Sequence, residues 1–382
     1  MKRDWLGGVL LATGLSGFVS ACPPPLPPRD VDWIASGKSE MVAADAEQAS
    51  QAGLEILQAG GNAIDAAVAV SFALAVTRPY STGLGGGGFM IARFADGRIV
   101  VQDFRETAPA AAAPDMFVQL SASRPDKLSP SEFGHLAVAV PGLVAGRCQA
   151  LAEWGTLSLE KVLQPAIRLA REGYPVDEDY VRTTQDVLES YNKHPSLADS
   201  CGYVHRTHLR GGSLRQKGDR LIQPELGRLL EGLAAEGPDL FYKGTVAAAI
   251  VREMKKHGGI LTEVDLANYQ PKIREPIIST YCDYELILMP SPSSGGIALA
   301  ETLNILENFP RPPLPRHDMP DYHLQIEAMK HAFADRAVWL GDQDFVDVPT
   351  KRLLSKSYAA ALARQIDYQR VSEIKQYGSA GL

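Results

Sequence analysis

The residues best suited to carry chemistry lie in one stretch, Gly83–Arg105, which reads GLGGGGFMIARFADGRIVVQDFR. Four glycines, Gly85–Gly88, lead into an apolar run that is typical of a β-strand. The pair Asp96-Gly97 then favours a hairpin turn, and a second apolar run follows it. Arg105 comes at the far end of this second strand. A cation at the end of a buried strand can sit at the mouth of a pocket, so the pattern predicts recognition of a small anion there.

Two further expectations concern the hairpin itself. Both strands are apolar at nearly every position, which predicts that both of their faces are covered by other layers. The glycines Gly85–Gly88 could cradle an anion with their backbone N–H groups. No Lys-Ser/Thr pair follows them, so a nucleotide phosphate loop is disfavoured. We expect the glycines to allow close packing of the backbone instead.

Arg105 has a simpler interpretation that must be weighed beside anion binding. Most arginines are exposed, and this one could be a surface cation paired with Asp103 or Glu106. Considered as an isolated residue, Arg105 fits that interpretation better. The two interpretations differ in whether its guanidinium is already occupied by a carboxylate of the chain.

The elements around the hairpin indicate a layered α+β fold. Asn62 and Asp65 have the spacing of a helix N-cap and its capping-box partner. They precede an apolar helix that is too short to cross a membrane comfortably and is typical of a buried layer. Helices are predicted at 46–57, 63–76, 159–172, 224–235, 243–257, 297–308, 322–340 and 355–366, and a further strand at 284–289.

The first 22 residues have the features of a secretion signal. Lys2 and Arg3 precede a short uncharged apolar run, Leu6–Val19. Val19–Cys22 then resembles the bacterial lipobox, in which the cysteine is acylated. Residues 23–36 begin with PPPLPP and are predicted to be an extended tether. We therefore expect an exported protein, periplasmic or at the cell surface, anchored to the membrane only by lipid on Cys22; a plain signal peptide is the alternative.

Composition narrows the functional classes. The 382 residues carry a formal net charge of −7 and no basic stripe, which argues against a nucleic-acid partner. After Cys22 the chain has only Cys148, Cys201 and Cys282, too few for a disulfide framework, although one pair could form. His205 and His208 lie close together without a third ligand. No metal site and no cofactor are predicted.

Several segments together resemble the large subunit of γ-glutamyltransferases, also called γ-glutamyl transpeptidases or glutathione hydrolases. The resemblance runs from about Gly37 to Asp367, its segments occur in the order of the family, and the large-subunit region is accordingly predicted at residues 37–382. They are MVAADAEQASQAGLEILQAGGNAIDAAVAVSFALAV, GLGGGGFMIARF, DFRETAP, PGLVAGR, GPDLFYKG, PSSGGIALAETLNILENF and EAMKHAFADRAVWLGDQDFVDVP.

The resemblance implies the four-layer α-β-β-α fold of N-terminal-nucleophile hydrolases, of which this chain would form an incomplete, large-subunit part. In that family a threonine freed by self-cleavage attacks a γ-glutamyl amide such as glutathione, its own amine acting as base. Water, an amino acid or a peptide then accepts the γ-glutamyl group. Arg105 in DFRETAP matches the family arginine that binds the α-carboxylate of the donor. A guanidinium fork is well suited to that bidentate contact.

No catalytic residue is assigned in this chain. The resemblance implies that the nucleophilic threonine lies beyond Leu382, in a small catalytic subunit, and that this chain is inactive alone. Thr183-Thr184 looks superficially similar to the family's catalytic segment but falls within a predicted helix. Two alternatives remain: a related acylase or amidase of the same superfamily, and a lipoprotein that has lost catalysis and keeps a binding role.

Overall fold

A computed structural model describes residues 35–121, 129–309 and 319–372 of the chain. Helices and antiparallel strands alternate through this part, which confirms the predicted α+β class. The described residues group into two compact units, one ending at Glu275 and the other beginning at Pro276. The predicted signal peptide and Cys22 lie outside the described residues.

The first unit contains a three-stranded sheet, a separate two-stranded sheet and twelve helices of four or more residues among its described residues. Its strands are β1 (Phe89–Arg93), β2 (Ile99–Asp103), β3 (Tyr174–Pro175), β4 (Arg220–Leu221) and β5 (Lys272–Arg274). Its helices are α1 (Glu47–Gln58), α2 (Ala63–Thr77), α3 (Met116–Ser121), α4 (Leu143–Trp154), α5 (Leu159–Glu172), α6 (Glu178–Lys193), α7 (Leu197–Ser200), α8 (Gly202–Thr207), α9 (Pro224–Glu236), α10 (Asp239–Tyr242), α11 (Thr245–His257) and α12 (Glu263–Ala267).

The predicted hairpin is present as an antiparallel β1–β2 pair, in which Phe89 lies opposite Asp103 and Ile91 opposite Val101. Strand β5 adds to the other side of β2, so the sheet order is β1-β2-β5. The turn is closed by Gly97, whose φ of 88° is a conformation that glycine adopts without strain.

One prediction about the hairpin was wrong. Both strands were expected to be covered on both faces, but Ile91 of β1 is 41% exposed and Arg93 is exposed as well. Strand β2 is buried towards its end, where Val101, Gln102 and Asp103 are all covered. The faces of the two strands are therefore covered unequally: β1 carries exposed side chains at Ile91 and Arg93, whereas the last three residues of β2 are buried.

Helix α2 is largely buried, as its apolar composition predicted, and it packs against α1, α4 and α5. Asn62 caps it by accepting hydrogen bonds from the N–H groups of Ile64 and Asp65, and the Asp65 carboxylate accepts one from the Asn62 N–H. The carboxylate of Asp65, completely buried, also accepts bonds from Thr156 and Leu157. These bonds compensate for the desolvation of the carboxylate and hold its pKa below the usual value.

The other predicted helices and the strand at 284–289 are also present, within a few residues at most ends. The main shift is at 243–257. There a short helix, α10, precedes Gly244, and α11 begins only at Thr245 because Gly244 stands at its N-cap. Among the described residues, we find no helix with both the length and the apolar character needed to span a bilayer.

The second unit has its own small core. It contains β6 (Ile277–Tyr281), β7 (Tyr284–Leu288), α13 (Gly295–Leu306), α14 (Met319–Trp339), α15 (Thr350–Leu353) and α16 (Lys356–Ala363). Strands β6 and β7 form an antiparallel hairpin, and helix α13 packs against it and against α14 and α16. Ile297, Ile305 and Leu362 are buried at the centre of this core.

A pair of acidic side chains is buried in the second unit. Glu301 of α13 is fully buried, and Asp335 of α14 accepts a 2.6 Å hydrogen bond from the Tyr358 hydroxyl. Burial, with the neighbouring Asp335 carboxyl, raises the pKa of Glu301 to about 9. Glu301 therefore keeps its proton at neutral pH in the folded chain and loses it on unfolding.

We expect Glu301→Gln to stabilise the chain at pH 8 and to leave its stability at pH 5 almost unchanged. A raised folded-state pKa means that unfolding releases a proton between the ordinary pKa of 4.5 and about 9. Stability therefore falls with rising pH in that window, by up to about 1.4 kcal/mol per pH unit. Glutamine resembles the protonated form and removes this loss.

Thermal unfolding of the wild type and Glu301→Gln at pH 5, 6.5 and 8 tests this expectation. Glu285→Gln, on the exposed part of β7, is the matched control and should change Tm equally little at every pH. A Tm difference for Glu301→Gln that does not grow with pH would show that Glu301 is ionised in the folded chain.

Candidate functional site

Arg105 lies directly after β2, where the buried part of the sheet ends. Its side chain is exposed, and its guanidinium carbon is 5.8 Å from the centre of the Phe89 ring. Within the described part of the chain, no hydrogen-bond acceptor or carboxylate contacts this guanidinium. The charged end of Arg105 thus remains available to an anion from outside the chain.

Hydrogen bonds at Arg105 and at the nearby Thr107 hold the backbone of this segment. Its N–H donates to the carboxylate of Asp103 at 3.0 Å, and its carbonyl accepts a bond from the Tyr269 hydroxyl at 2.8 Å. Two residues later, Thr107 and Val140 exchange backbone hydrogen bonds at 3.3 and 2.8 Å. A fixed backbone reduces the conformational entropy that the side chain loses when it binds a ligand.

Asp103 is in turn fixed by a buried ion pair with Arg274 of β5. The Arg274 Nε and Nη2 lie 3.1 and 2.9 Å from the same carboxylate oxygen of Asp103. The two side chains are only 8% and 7% exposed, for Arg274 and Asp103 respectively. The ion pair joins β5 to β2 beside Arg105. The Asp103 carboxylate is therefore paired with Arg274 and not with the Arg105 guanidinium.

Two tyrosines connect the backbone of Arg105 to the helices. Tyr269 stacks on Tyr242, with ring centres 5.9 Å apart and planes 11° apart. The Tyr242 hydroxyl donates to the Pro141 carbonyl at 2.9 Å and accepts from the Ala145 N–H at 3.2 Å. The main chain at Arg105 is therefore connected through Tyr269 to the beginning of α4.

The same tyrosines line a cavity of about 570 Å³ that is mainly apolar. Its charged side chains, Asp239 and Lys243, form an ion pair with each other at 2.9 Å. The cavity therefore offers no unoccupied cation to a carboxylate ligand.

The glycines have the packing role that the sequence predicted, with one exception. A Cβ atom on Gly87 would lie 2.6 Å from the Phe104 carbonyl and 2.9 Å from the Arg105 Cα, and one on Gly88 would meet the Phe104 ring at 3.0 Å. Gly85 has no neighbour within 4 Å of such an atom, so its packing role was predicted wrongly.

Two more glycines, outside the run, complete the packing around Phe104. A Cβ on Gly142 would lie 1.9 Å from the Phe104 carbonyl and 2.2 Å from the Tyr269 hydroxyl, and one on Gly146 would lie 2.3 Å from the Phe104 Cβ. Both belong to the segment PGLVAGR. Only glycine lets the start of α4 approach the end of β2 this closely.

The remaining candidate residues show ordinary structural roles. His208 is buried, with its Nδ1 3.0 Å from the Tyr180 hydroxyl, and His205 stacks on Tyr191. Cys148, Cys201 and Cys282 are free thiols in the structure, so the open option of one disulfide pair is not realised. Burial raises the pKa of the Cys148 thiol to about 12, which makes it unreactive.

Sequence reasoning missed the residues that position Arg105. Tyr269 and Arg274 lie more than 160 residues further along the chain, at separations of 164 from Arg105 and 171 from Asp103. No local spacing connects them with the hairpin. The buried Asp103, placed where an apolar residue would fit the strand, was the one available signal.

Comparison with known proteins places these features in context. The family model described as Gamma-glutamyltranspeptidase matches residues 49–381. The glutathione hydrolase proenzyme of Escherichia coli (strain K12) is 43% identical over 98% of this chain and 65% of its own length. The Acylase ACY 1 proenzyme of Pseudomonas sp. (strain SE83) is 43% identical over 88% of this chain and 61% of its own length.

A solved structure gives the same result for the fold. The crystal structure of Helicobacter pylori gamma-glutamyltranspeptidase is 37% identical, with a TM-score of 0.83, over 91% of this chain and 99% of the matched chain. The present chain spans less than two-thirds of the length of the E. coli hydrolase and of the Pseudomonas acylase.

Proposed function

Because this chain belongs to the gamma-glutamyltranspeptidase family, we propose that it forms the donor-binding part of an enzyme that transfers or hydrolyses γ-glutamyl groups. Its fold class is that of the N-terminal-nucleophile hydrolases, as the resemblance implied. The donor is a γ-glutamyl amide such as glutathione, and the acceptor is water, an amino acid or a peptide.

The observation that carries this proposal is the available guanidinium of Arg105 on a fixed backbone. We assign to it the α-carboxylate of the γ-glutamyl donor, held by two parallel N–H···O bonds. Since the backbone is held by Asp103 and Tyr269, the bound carboxylate would be held at a defined position. Fixing one end of a short donor places the scissile γ-carbonyl at a reproducible distance from it.

The bond-breaking group is proposed to come from the third of the relatives that this chain does not match. A threonine hydroxyl would attack the γ-carbonyl, form an ester and release the amine; water or an acceptor amine would then take the acyl group. The Thr183-Thr184 pair is unsuited to this role. It lies within α6, and the buried Thr184 hydroxyl already donates to the carbonyls of Tyr180 and Val181.

An exposed apolar face supports the need for a further protein segment. On α14, Ile326, Met329 and Phe333 share one side of the helix and are 56%, 46% and 51% exposed. An apolar helix face of this kind is usually covered by another protein surface. We propose that the small catalytic subunit, corresponding to the unmatched third of the relatives, covers it.

We expect the purified chain to show no turnover of a γ-glutamyl anilide when assayed alone. Activity should appear when it is co-expressed with a polypeptide corresponding to the part of the E. coli relative that this chain does not match. The same pair with the proposed threonine nucleophile of that polypeptide changed to alanine is the control. Turnover by the isolated chain would contradict our placement of the nucleophile.

Acylase chemistry is the second candidate, since the Pseudomonas acylase proenzyme is as similar in identity as the E. coli hydrolase. The two activities differ in the acyl donor. A donor with an α-amino-acid head requires a carboxylate clamp, whereas a simple acyl amide does not. Preference of the assembled enzyme for a γ-glutamyl anilide over a butyryl anilide, which lacks the α-amino-acid head, would favour the first candidate. A pair that assembles without activity would instead favour the binding-only lipoprotein.

We also propose that the chain is exported and lipid-anchored at Cys22. The proposal is supported by the positive start, the short apolar run and the Val19-Ser20-Ala21-Cys22 segment. Replacing Cys22 with serine should move the protein from the membrane fraction to the soluble periplasmic fraction. Equal membrane association of the wild type and Cys22→Ser would contradict lipidation.

A further inference from the structure

Three potential metal ligands converge in the first unit, away from the residues that hold Arg105. They are His135, Glu253 and His257, and their ligand atoms all lie within 4.8 Å of one another. The Nε2 of His257 is 3.5 Å from a carboxylate oxygen of Glu253. Two ligands bound tetrahedrally to one zinc ion lie about 3.3 Å apart, given metal–ligand distances of about 2.0–2.1 Å.

The fold brings these residues together by two devices. Glu253 and His257 are one helical turn apart on α11, so they project from the same side of the helix. His135 begins a 3-10 turn, His135–Ala137, that packs against the end of α11. A Cβ on Gly259 would lie 2.9 Å from the His135 carbonyl, so the glycine is what permits this approach.

We propose that His135, Glu253 and His257 bind a divalent transition-metal ion of the zinc type, with water completing its coordination. Two imidazoles and one carboxylate are a ligand set that zinc, nickel and copper prefer over magnesium or calcium. A cation there would also lie near the C-terminal end of α11, where the helix dipole is negative.

Binding requires a rearrangement of the two rings. The His135 and His257 rings are stacked, with centres 4.5 Å apart and planes 17° apart. A metal lies in the plane of every imidazole that binds it, and nearly parallel stacked rings share no such point. At least one ring must therefore turn about its side-chain bonds, which exchanges the stacking contact for a metal–nitrogen bond.

Charged groups around the cluster both favour and oppose metal binding. The Glu253 carboxylate supplies a negative charge that attracts a cation to the cluster. Lys256 opposes binding, because its ammonium is 3.9 Å from the Glu253 carboxylate and competes for it. Removing this lysine should therefore tighten metal binding, an effect opposite in sign to that of removing a ligand.

The experiment is a titration of the full chain, without a polyhistidine tag, with Zn²⁺ by calorimetry and with Co²⁺ by visible absorption. We expect one ion per chain and a cobalt spectrum without the thiolate band that a cysteine ligand would add. His135→Asn and His257→Asn should each weaken binding at least about tenfold. Lys256→Ala should tighten it, and His194→Ala, which removes an unrelated histidine, should have no effect.

Circular dichroism and Tm of each metal-free variant establish that the variants are folded, so that lost affinity reports the ligand and not the fold. The proposal is overturned if the wild type binds less than one ion per chain. It is equally overturned if folded His135→Asn and His257→Asn bind as tightly as His194→Ala.

Discussion

In the assembled enzyme, replacing Arg105 with alanine should raise the KM for a γ-glutamyl anilide by about two to three orders of magnitude. The guanidinium would make two charge-assisted hydrogen bonds to the donor carboxylate, each contributing about 1.5–3 kcal/mol. Loss of the pair leaves a carboxylate without its counter-charge. The effect should appear mainly in KM, because the contact is made in the ground state and in the transition state alike.

Two further variants test whether this effect is specific to the guanidinium of Arg105. Arg105→Lys keeps the charge but not the planar pair of donors, so we expect it to recover only part of the lost affinity. Arg93→Ala is the matched control, since Arg93 is an exposed arginine on the same hairpin. Its KM should be that of the wild type.

A change in the donor provides a second, independent test. The 4-aminobutyryl anilide lacks only the α-carboxylate of the γ-glutamyl donor. If Arg105 binds that carboxylate, Arg105→Ala should have little effect on turnover of the shortened donor, and the two losses should not add. If the loss of turnover caused by Arg105→Ala and the loss caused by removing the α-carboxylate add fully, Arg105 does not bind that carboxylate.

The largest loss of stability is expected from Asp103→Ala. This change removes one partner of the buried Asp103–Arg274 ion pair, and breaking such a pair from one side typically costs about 3–5 kcal/mol. The Arg105 N–H also loses its acceptor. Urea unfolding of the chain should show a lower midpoint, and the assembled enzyme should bind its donor more weakly because the backbone beneath Arg105 is less well fixed.

The nearby pair of Asp96 and Arg98 supplies the control. These side chains also form an ion pair, at 2.7 Å, but they lie exposed in the hairpin turn. Solvent screens such a pair, so Asp96→Ala should leave the unfolding midpoint almost unchanged. The double variant Asp103→Leu, Arg274→Met should be more stable than Asp103→Ala, because it removes the buried cation as well. Equal stability of Asp103→Ala and Asp96→Ala would disprove the buried pair.

Local signals in the sequence predicted most of the fold. The capping pair Asn62 and Asp65 and the alternation of apolar runs depend on neighbouring residues, so the helices and the hairpin could be located to within a few positions. The exposure of Ile91 could not be predicted, because an apolar strand has the same composition whether or not another layer covers it.

The site was predictable only in part. Arg105 was identified by its place in DFRETAP, while the partners of its backbone come from distant parts of the chain. The cluster of His135, Glu253 and His257 was also not predicted, since His135 lies far along the chain from the Glu253–His257 pair. Contacts of this kind depend on tertiary packing, and no periodicity within a single segment encodes them.

The position of β5 has a consequence for the order of folding. The β1–β2 hairpin closes over a short loop, and such hairpins form in about 1–10 µs. The Asp103–Arg274 contact joins residues 171 positions apart, so its closure carries the entropy of a long loop and comes late. During synthesis, Arg105 leaves the ribosome long before β5 and Tyr269 exist. Arg105 is thus made well before the residues that fix its backbone.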